Sequence, residues 1–368
     1  MGKRIFKNMD YEILICTIIL ITIGLIALFS ATQSANLIEF KRQIMWILIS
    51  IPIMLIIIFI DYETIAKFSP IMYFIVISLL VAVLFTKPVN GATSWFSIGA
   101  VSLQPAEFAK IIVIITLAFY ISKIQEKGKD EVSRFTKLLK IFAILAVPVL
   151  LIIKQPDYGT AVAFIVAVIF MLFSAGIKKR YIFTGILLVL VAIPLLYFFV
   201  LPEHAKTRID VFLNPNLDPR GAGYNVIQSK LAIGAGEFLG MGILKGNQTQ
   251  LGFLYPKTTD FIFAVIGEEM GFVVASAVII TYVILITRII YIAKTAKNLL
   301  GSYISIGIAG IFIFHMIENI GMTMGLLPIT GVPLPFVSYG GSSLLTNLIM
   351  IALLLNISGR RQKAIFIE

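Results

Sequence analysis

The sequence predicts an all-α polytopic integral membrane protein, from its composition, its long apolar segments and the placement of its basic residues. Of 368 residues, 59% are hydrophobic and only 13% are charged, whereas soluble domains are about a quarter charged. The core of a water-soluble fold could not absorb this much apolar sequence. We assign the net charge of +11 to basic loops beside a membrane, not to nucleic-acid binding.

Ten apolar segments are predicted to cross the membrane as helices, within a single membrane domain covering residues 1–368. A spanning helix needs about 20 residues, and the segments cover residues 11–31, 43–60, 69–86, 104–122, 138–153, 159–176, 181–201, 260–287, 302–325 and 341–358. The first has no small-residue cleavage site at its end, so we expect a retained span. Cys16 is the only cysteine, which excludes an internal disulfide bond.

The basic residues predict the orientation of these spans. Clusters of Lys and Arg precede the first span, occupy the loop near residue 130, follow the sixth and eighth spans, and end the chain. With ten spans, all these clusters fall on one side, which the positive-inside rule makes cytoplasmic. Both termini are then cytoplasmic, and the loops 87–103, 202–259 and 326–340 face outward.

The large outward loop, residues 202–259 between the seventh and eighth predicted spans, contains eight glycines and several basic residues. Glycine allows close approach of the backbone to a ligand, and clustered positive charge favours an anionic ligand. The alternative is a solvated connector that needs tight turns. Residues Ile227–Ile233 are apolar enough to form a helix lying on the membrane.

Three carboxylates lie close together where this loop meets the eighth span: Asp260, Glu268 and Glu269. A carboxylate at membrane depth is costly unless it is paired or used. At about 100° per residue, Glu268 and Glu269 cannot both share the position of Asp260. We therefore expect at least one of them to be structural, paired with a basic residue or near a loop.

Charged residues at the outward ends of other spans leave alternatives open. Glu107 and Lys110 share a helix face at i,i+3; either they neutralise each other, or Lys110 contacts an anionic substrate and Glu107 orients it. Arg42 is either a snorkelling anchor at the interface or an anion contact. Asp157 is placed to cap the sixth predicted helix.

Two further features concern the ninth and tenth spans. His315 and Glu318 are more consistent with a satisfied intramembrane pair than with a metal centre, because further ligands are missing. Gly340-Gly341 begins the last span, where free N–H groups suit a phosphate. The alternative is an ordinary helix start capped by Ser338 or Ser342.

Several motifs in the same order resemble a known family. They are Gln-Pro-x-Glu-x-x-Lys at 104–110, Gln-Pro-Asp-x-Gly-Thr at 155–160, Thr-Asp-Phe-Ile-Phe-Ala at 259–264, and a signature from Asn319 through the proline-rich loop to Ser-Tyr-Gly-Gly-Ser-Ser at 338–343. Over its whole length the chain resembles the SEDS family (shape, elongation, division and sporulation) of bacterial glycan polymerases. Residues 214–230 and 246–250 resemble the elongation branch more than the division branch.

The chain departs from the family pattern at two places in the outward loop. Residues 255–258 read Tyr-Pro-Lys-Thr where the family often has Pro-Glu-x-His, and Glu237 stands where the second of two glycines is usual. Asp260 is intact, but a role for an acid or a histidine just before it is in doubt.

The resemblance implies a peptidoglycan glycosyltransferase that joins lipid II units with inversion and releases undecaprenyl pyrophosphate. Asp260 would be the general base, and Arg42, Lys110 and the Gly340-Gly341 helix start would stabilise the leaving pyrophosphate. The family motifs supply the remaining substrate-binding candidates, which are Glu107, Asp157, Gln228, Ser229, Lys230 and Ser338.

The resemblance also implies the surroundings of the protein. It places the chain in the bacterial cytoplasmic (inner) membrane, with lipid II, the growing glycan strand, a class B penicillin-binding protein (a transpeptidase), elongation-complex membrane proteins and membrane lipid as partners. The lipid tail would lie in a groove between spans. A divalent cation, Mg²⁺ or Mn²⁺, could assist, although no protein metal cage is visible in the sequence.

The alternatives are a lipid II flippase, a scaffold that recruits the transpeptidase, and a division or sporulation member of the family.

Overall fold

A computed structural model describes residues 6–87, 93–98, 101–199, 203–214, 217–219 and 221–361. The described chain is built mainly of helices. In chain order they are α1 (Tyr11–Ala31), α2 (Ile38–Phe59), α3 (Tyr62–Lys67), α4 (Ser69–Val83), α5 (Pro105–Gln125), α6 (Phe135–Ile153), α7 (Tyr158–Ser174), α8 (Lys179–Phe199), α9 (Glu203–Leu213), α10 (Ala222–Ala235), α11 (Asn247–Gln250), α12 (Ile262–Thr295), α13 (Leu299–Thr323) and α14 (Gly341–Gly359).

Helices occupy each of the ten predicted apolar segments. Among the described residues, six are long and apolar enough to cross a membrane: α1, α2, α6, α12, α13 and α14. The shorter helices α4 and α7 are also apolar. The prolines Pro52 and Pro148 lie inside α2 and α6 without ending them, as neighbouring groups allow in membrane helices.

The loops that the sequence predicts to face outward contain more regular structure than expected. Two short strands, β1 (Phe96–Ile98) and β2 (Val101–Leu103), pair antiparallel just before α5, so the prediction of an all-α chain is wrong in this detail. In loop 202–259, the predicted helix at Ile227–Ile233 is confirmed as part of α10. Residues 88–92, inside loop 87–103, lie outside the described residues.

Close helix packing places the loops at one end of the bundle relative to one another. A Cβ added to Gly310 of α13 would lie 2.9 Å from the Cα of Ala167 in α7, and one added to Gly307 would lie 2.7 Å from the Ile114 side chain of α5. Small residues at such contacts allow membrane helices to approach closely. As a result, the start of α7 and the end of α13 are fixed beside each other, at the end of the bundle that carries Asp260.

The predicted eighth span needs correction. Helix α12 covers 34 residues and is broken at Gly271, whose φ of 75° and ψ of −176° are not helical. An unbroken helix of that length would measure about 50 Å, well beyond the ~30 Å hydrocarbon core. A short helical piece therefore precedes the spanning part, and Glu268 and Glu269 belong to that piece.

Candidate functional site

Asp260 lies in the turn just before α12 and is half-buried. Burial raises the pKa of its carboxyl group to about 6; the negative charge of Asp157 adds to the increase, while the Thr259 hydroxyl and the positive charge of Arg208 oppose it. A carboxyl group with this pKa is ionised at neutral pH and is basic enough to accept a proton. Asp260 therefore has the properties of a general base.

The backbone at Asp260 is held by Asn319 of α13. The side-chain amide of Asn319 donates to the carbonyl oxygens of Asp260, at 2.9 Å, and Val332, at 2.8 Å. Asn319 itself is fully buried, and its bond to the Val332 carbonyl oxygen is buried with it, away from competing water. One residue thus connects the turn that carries Asp260 to the proline-rich loop 324–340.

Gly331 of that loop lies beside the Asp260 carboxylate. A Cβ added to Gly331 would lie 3.5 Å from Asp260 Oδ2, and its φ of +76° is strained for any other residue. The positive φ of this turn is therefore the reason for a glycine at this position.

Ser338 fixes the other side of the same loop. Its hydroxyl donates to the carbonyl oxygen of Thr259 at 2.7 Å and accepts from the N–H of Leu334 at 2.9 Å. The N–H of Tyr339 donates to the carbonyl oxygen of Thr258 at 2.8 Å. Ser338 is buried, so its contacts indicate that it shapes the site.

The Gly340-Gly341 start of α14 is close-packed. Gln43 of α2 accepts from the N–H of Gly340 at 3.2 Å and donates to the carbonyl oxygen of Ser338 at 3.1 Å. A Cβ on Gly341 would lie only 1.9 Å from the indole nitrogen of Trp46. Helix α14 has no side-chain cap, so the alternative of a helix start capped by Ser338 or Ser342 is wrong.

Arg42 is half-buried next to these residues. Its guanidinium group interacts with the Tyr339 hydroxyl and opposes the increase that burial causes in the pKa of that hydroxyl. Arg42 is thus bound to the loop that shapes the site, which is a more specific position than that of an interface anchor.

Glu107 and Lys110 form the buried ion pair that was one of the two alternatives. The Lys110 ammonium group lies 3.0 and 2.9 Å from the two carboxylate oxygens of Glu107, and its side chain is 0% exposed. Thr346 of α14 donates to the same carboxylate at 3.0 Å. The pair therefore connects α5 to α14 beneath the loop.

The predicted pairing of His315 with Glu318 is wrong, because each of these residues binds elsewhere. His315 Nε2 lies 3.2 Å from the Lys110 ammonium group, and its Nδ1 lies 3.0 Å from the Pro333 carbonyl oxygen. This arrangement assigns the ring proton to Nδ1. Glu318 instead accepts from Thr330 at 2.8 Å.

Asp157 caps α7, as predicted. Its carboxylate accepts from the N–H of Thr160 at 3.2 Å and from the Gln104 side chain at 2.9 Å. Burial, followed by the nearby charge of Glu107, raises the pKa of Asp157, and the Thr160 bonds and Lys110 oppose this increase. Gln104 therefore joins the starts of α5 and α7.

The three candidates on α10 occupy different environments. Ser229 is fully buried and donates to the carbonyl oxygen of Thr323 at 2.7 Å. Lys230 is exposed, and its side chain lies over Gly325, whose added Cβ would be 2.0 Å from Lys230 Cε. Gln228 is half-buried. Only Ser229 has a clear structural role, which is to dock α10 on the end of α13.

Glu268 is structural, as expected of at least one of the two glutamates, but its partners are not basic residues. Its carboxylate accepts from the N–H groups of Gln248, at 2.6 Å, and Thr249, at 2.9 Å, and from the Thr249 hydroxyl at 2.6 Å. Glu269 accepts from the Gln250 side chain at 2.8 Å. The helical-wheel comparison with Asp260 does not apply, because Asp260 precedes the helix.

Gln43, Trp46 and Arg208 were missed as site residues by the sequence analysis. Gln43 and Trp46 follow Arg42 on α2, and their side chains face the start of α14. Arg208 is one of several similar basic residues of loop 202–259. Across the described ranges, no three or more His, Cys, Asp or Glu side chains form a group that could hold a metal ion.

Comparisons with known proteins show the family to which the chain belongs. A family model described as "Cell cycle protein", covering FtsW, RodA and SpoVE, matches residues 11–363. The peptidoglycan glycosyltransferase MrdB of Escherichia coli (strain K12) is 36% identical over 96% of this chain and 95% of its own length. The stage V sporulation protein E of Bacillus subtilis (strain 168) is 37% identical over 95% and 96%.

Solved structures share the fold. A chain of a peptidoglycan synthase complex that coordinates polymerization and crosslinking superposes with a TM-score of 0.82 at 24% identity, covering 95% of this chain and 97% of that chain. The rod shape determining protein RodA of Thermus thermophilus gives a TM-score of 0.72 at 24% identity, covering 96% and 98%.

Proposed function

Because the chain belongs to the FtsW, RodA and SpoVE family of cell cycle proteins, we infer that it is a peptidoglycan glycosyltransferase of the bacterial inner membrane. Its substrate is lipid II, whose disaccharide units it joins into glycan strands. Relatives at 36% identity over nearly the full length carry this activity in their names. The reaction releases undecaprenyl pyrophosphate.

The observation that carries the mechanism is the environment of Asp260. The 4-hydroxyl group of the acceptor sugar attacks the anomeric carbon of the donor, and the Asp260 carboxylate accepts the hydroxyl proton as the new bond forms. The C–O bond to the pyrophosphate breaks on the opposite face, so the configuration inverts. A pKa of about 6 keeps Asp260 ionised in neutral solution.

Cationic groups around the loop stabilise the negative charge that develops on the pyrophosphate. Arg42 and Arg208 are the best placed, since both are at least partly exposed beside the proline-rich loop 324–340. Lys110 is fully buried between Glu107 and His315, which favours a supporting role for it. A divalent cation could add to this stabilisation with pyrophosphate oxygens among its ligands.

An apolar groove offers a place for a lipid tail. It encloses about 530 Å³ between α2, α3, α4, α5 and α14, and Ile57, Ile111 and Leu353 are among the apolar residues that line it. A polyprenyl chain in such a groove would remain in the membrane while its headgroup reacts at the surface.

The finer topology is part of the same proposal: ten spans, both termini cytoplasmic, and Asp260 on the outer face. There the enzyme would work with a class B transpeptidase, in keeping with the synthase complex that shares its fold. Motifs in the outward loop favour the elongation branch. Division and sporulation relatives have a similar sequence identity to this chain. A role in division or sporulation is therefore the alternative.

A transporter that flips lipid II is the second candidate, favoured by the broken helix α12. Purified protein in liposomes, with labelled lipid II and a class B transpeptidase, separates the two activities. We expect glycan polymer resolved by gel electrophoresis. Movement of lipid II across the bilayer without any polymer would contradict the proposal.

A further inference from the structure

Residues 236–242, which we call the bracket, form hydrogen bonds with α12 on both sides of its break at Gly271. The N–H groups of Met241 and Gly242 donate to the carbonyl oxygens of Glu268 and Glu269 at 2.9 and 3.0 Å. The N–H groups of Phe272 and Val273 donate in turn to the bracket carbonyl oxygens of Glu237 and Phe238, at 3.0 and 3.2 Å. Polar backbone groups released at the break thus bond to protein.

The bracket approaches α12 more closely than side chains would allow. A Cβ on Gly236 would lie 1.8 Å from the Gly267 carbonyl oxygen, and one on Gly240 would lie 2.3 Å from that of Glu269. In water, released backbone groups can bond to solvent instead. Pairing of such groups within the protein, as these four bonds provide, is what a lipid environment requires.

Arg288 gives the depth of the break. It forms ion pairs with Asp10, at 2.6 Å, and with the exposed Glu12, at 3.2 Å, a charged cluster of the kind that lies at a membrane surface. Gly271 lies 17 residues before Arg288, or about 26 Å along a helix. Since the hydrocarbon core is about 30 Å thick, the break lies at its boundary on the Asp260 side.

The bracket presents large apolar side chains at this depth. Phe238 and Leu239 are 69% and 80% exposed, and Phe272, directly after the break, is 60% exposed. The rings of Phe238 and Phe272 lie 5.4 Å apart. The apolar surface of the bracket is therefore continuous with the exposed face of the spanning part of α12.

We propose that the bracket is a re-entrant element whose Phe238 and Leu239 insert among the lipids of the leaflet on the Asp260 side, at the boundary between acyl chains and headgroups. The outward loop is then anchored in the bilayer at its middle as well as at its ends. Aromatic and leucine side chains favour this interface. The inference does not depend on the enzyme activity.

Nitroxide labels measure such a depth directly, and the single cysteine, Cys16, makes labelling simple. In a Cys16→Ser background, single cysteines replace Leu239, Leu217 or Ile280 in the full chain, reconstituted without partners in phosphatidylcholine–phosphatidylglycerol liposomes. Leu217, 63% exposed in the outward loop, is the water reference, and Ile280, 58% exposed on α12, is the lipid reference. Collision rates with oxygen and with a water-soluble nickel chelate are compared at each site.

We expect the ratio of oxygen to nickel accessibility at residue 239 to lie closer to the ratio at residue 280 than to that at residue 217. A ratio at residue 239 closer to that at residue 217 would overturn the proposal and leave the bracket as a water-exposed surface. If the variant at 239 does not fold, Phe238→Cys serves as the second reporter with the same criterion.

Discussion

The fully buried side-chain amide of Asn319 donates to the backbone carbonyl oxygen of Asp260 across 2.9 Å. The carbonyl oxygen of Val332 receives the second bond. Because the acidic side chain projects from a backbone held in this way, the position of the Asp260 carboxylate depends on α13.

Replacement of Asn319 by Ala should lower the polymerisation rate about 100-fold, the effect typical of a displacement of about 1 Å at a reacting group. Asn319→Asp should be at least as harmful, since its carboxylate would face two carbonyl oxygens. The rate is measured per folded molecule, with lipid II saturating.

Asn356 provides the matched control. Its amide also connects two backbone carbonyl oxygens, those of Ile57 and Ile60, at the opposite end of the bundle. Asn356→Ala should lower the thermal stability but leave the rate per folded molecule within about twofold of the wild-type rate. That change is well short of the ~100-fold loss expected for Asn319→Ala. Equal losses of rate in the two variants would argue against a positioning role for Asn319.

The pH dependence should follow the ionisation of Asp260. With a pKa of about 6, kcat/KM should fall as the pH decreases through that value, because protonation removes the base. Arg208→Gln removes a charge that lowers this pKa, so the acid limb should move to higher pH. Asp157→Asn should move it to lower pH.

The exposed Lys245, which lies in loop 202–259 as Arg208 does, serves as the control for these charge changes. Lys245→Gln changes the net charge as Arg208→Gln does, but it should leave the acid limb in place. Shifts of the same size and direction in both variants would indicate a general surface effect and no specific contact with Asp260.

The two roles of the Glu107–Lys110 pair can be separated by a double variant. Lys110→Met alone leaves Glu107 buried without its counter-charge, and removing one partner of a buried pair costs about 3–5 kcal/mol. Glu107→Gln with Lys110→Met removes both charges and should restore much of the thermal stability.

If the pair only supports the loop, activity should return with stability in the double variant, measured as glycan polymer per folded molecule. Restored folding without activity would instead mean that Lys110 contacts the substrate, contrary to the supporting role favoured by its burial.

The departure from the family pattern at Glu237 has a predictable energetic effect. Its φ of 45° is in the left-handed region, which costs a non-glycine residue about 1–2 kcal/mol. Glu237→Gly should therefore stabilise the protein by about 1 kcal/mol, after allowing for the extra flexibility of glycine when unfolded. Glu126→Gly, where φ is −56°, should destabilise it in the same thermal-unfolding assay. A lower melting temperature for Glu237→Gly would contradict the assignment of strain.

Features encoded locally in the chain could be predicted from the sequence. The apolar segments, the cap at Asp157 and the i,i+3 pair of Glu107 and Lys110 depend on neighbouring residues, and the structure contains all of them. The choice of Asp260 as the candidate base rested on its position between a polar loop and an apolar span, together with its motif.

Contacts between distant parts of the chain could not be predicted. His315 and Lys110 are 205 residues apart, and the helical spacing that suggested Glu318 as the partner of His315 carries no information about α5. Glu268 binds backbone N–H groups of α11, which no residue type signals. The break at Gly271 depends on hydrogen bonds from the bracket, so the glycine alone was an insufficient sign.

The most direct test of the account compares wild-type protein with Asp260→Asn in liposomes containing labelled lipid II and the transpeptidase partner. Since burial of the ionised Asp260 is unfavourable, the neutral variant should keep its melting temperature at neutral pH and should still bind lipid II. If Asp260 is the base, this stable, substrate-binding variant makes no glycan polymer. Polymer formed at a rate near that of the wild type would contradict the assignment of Asp260 as the base.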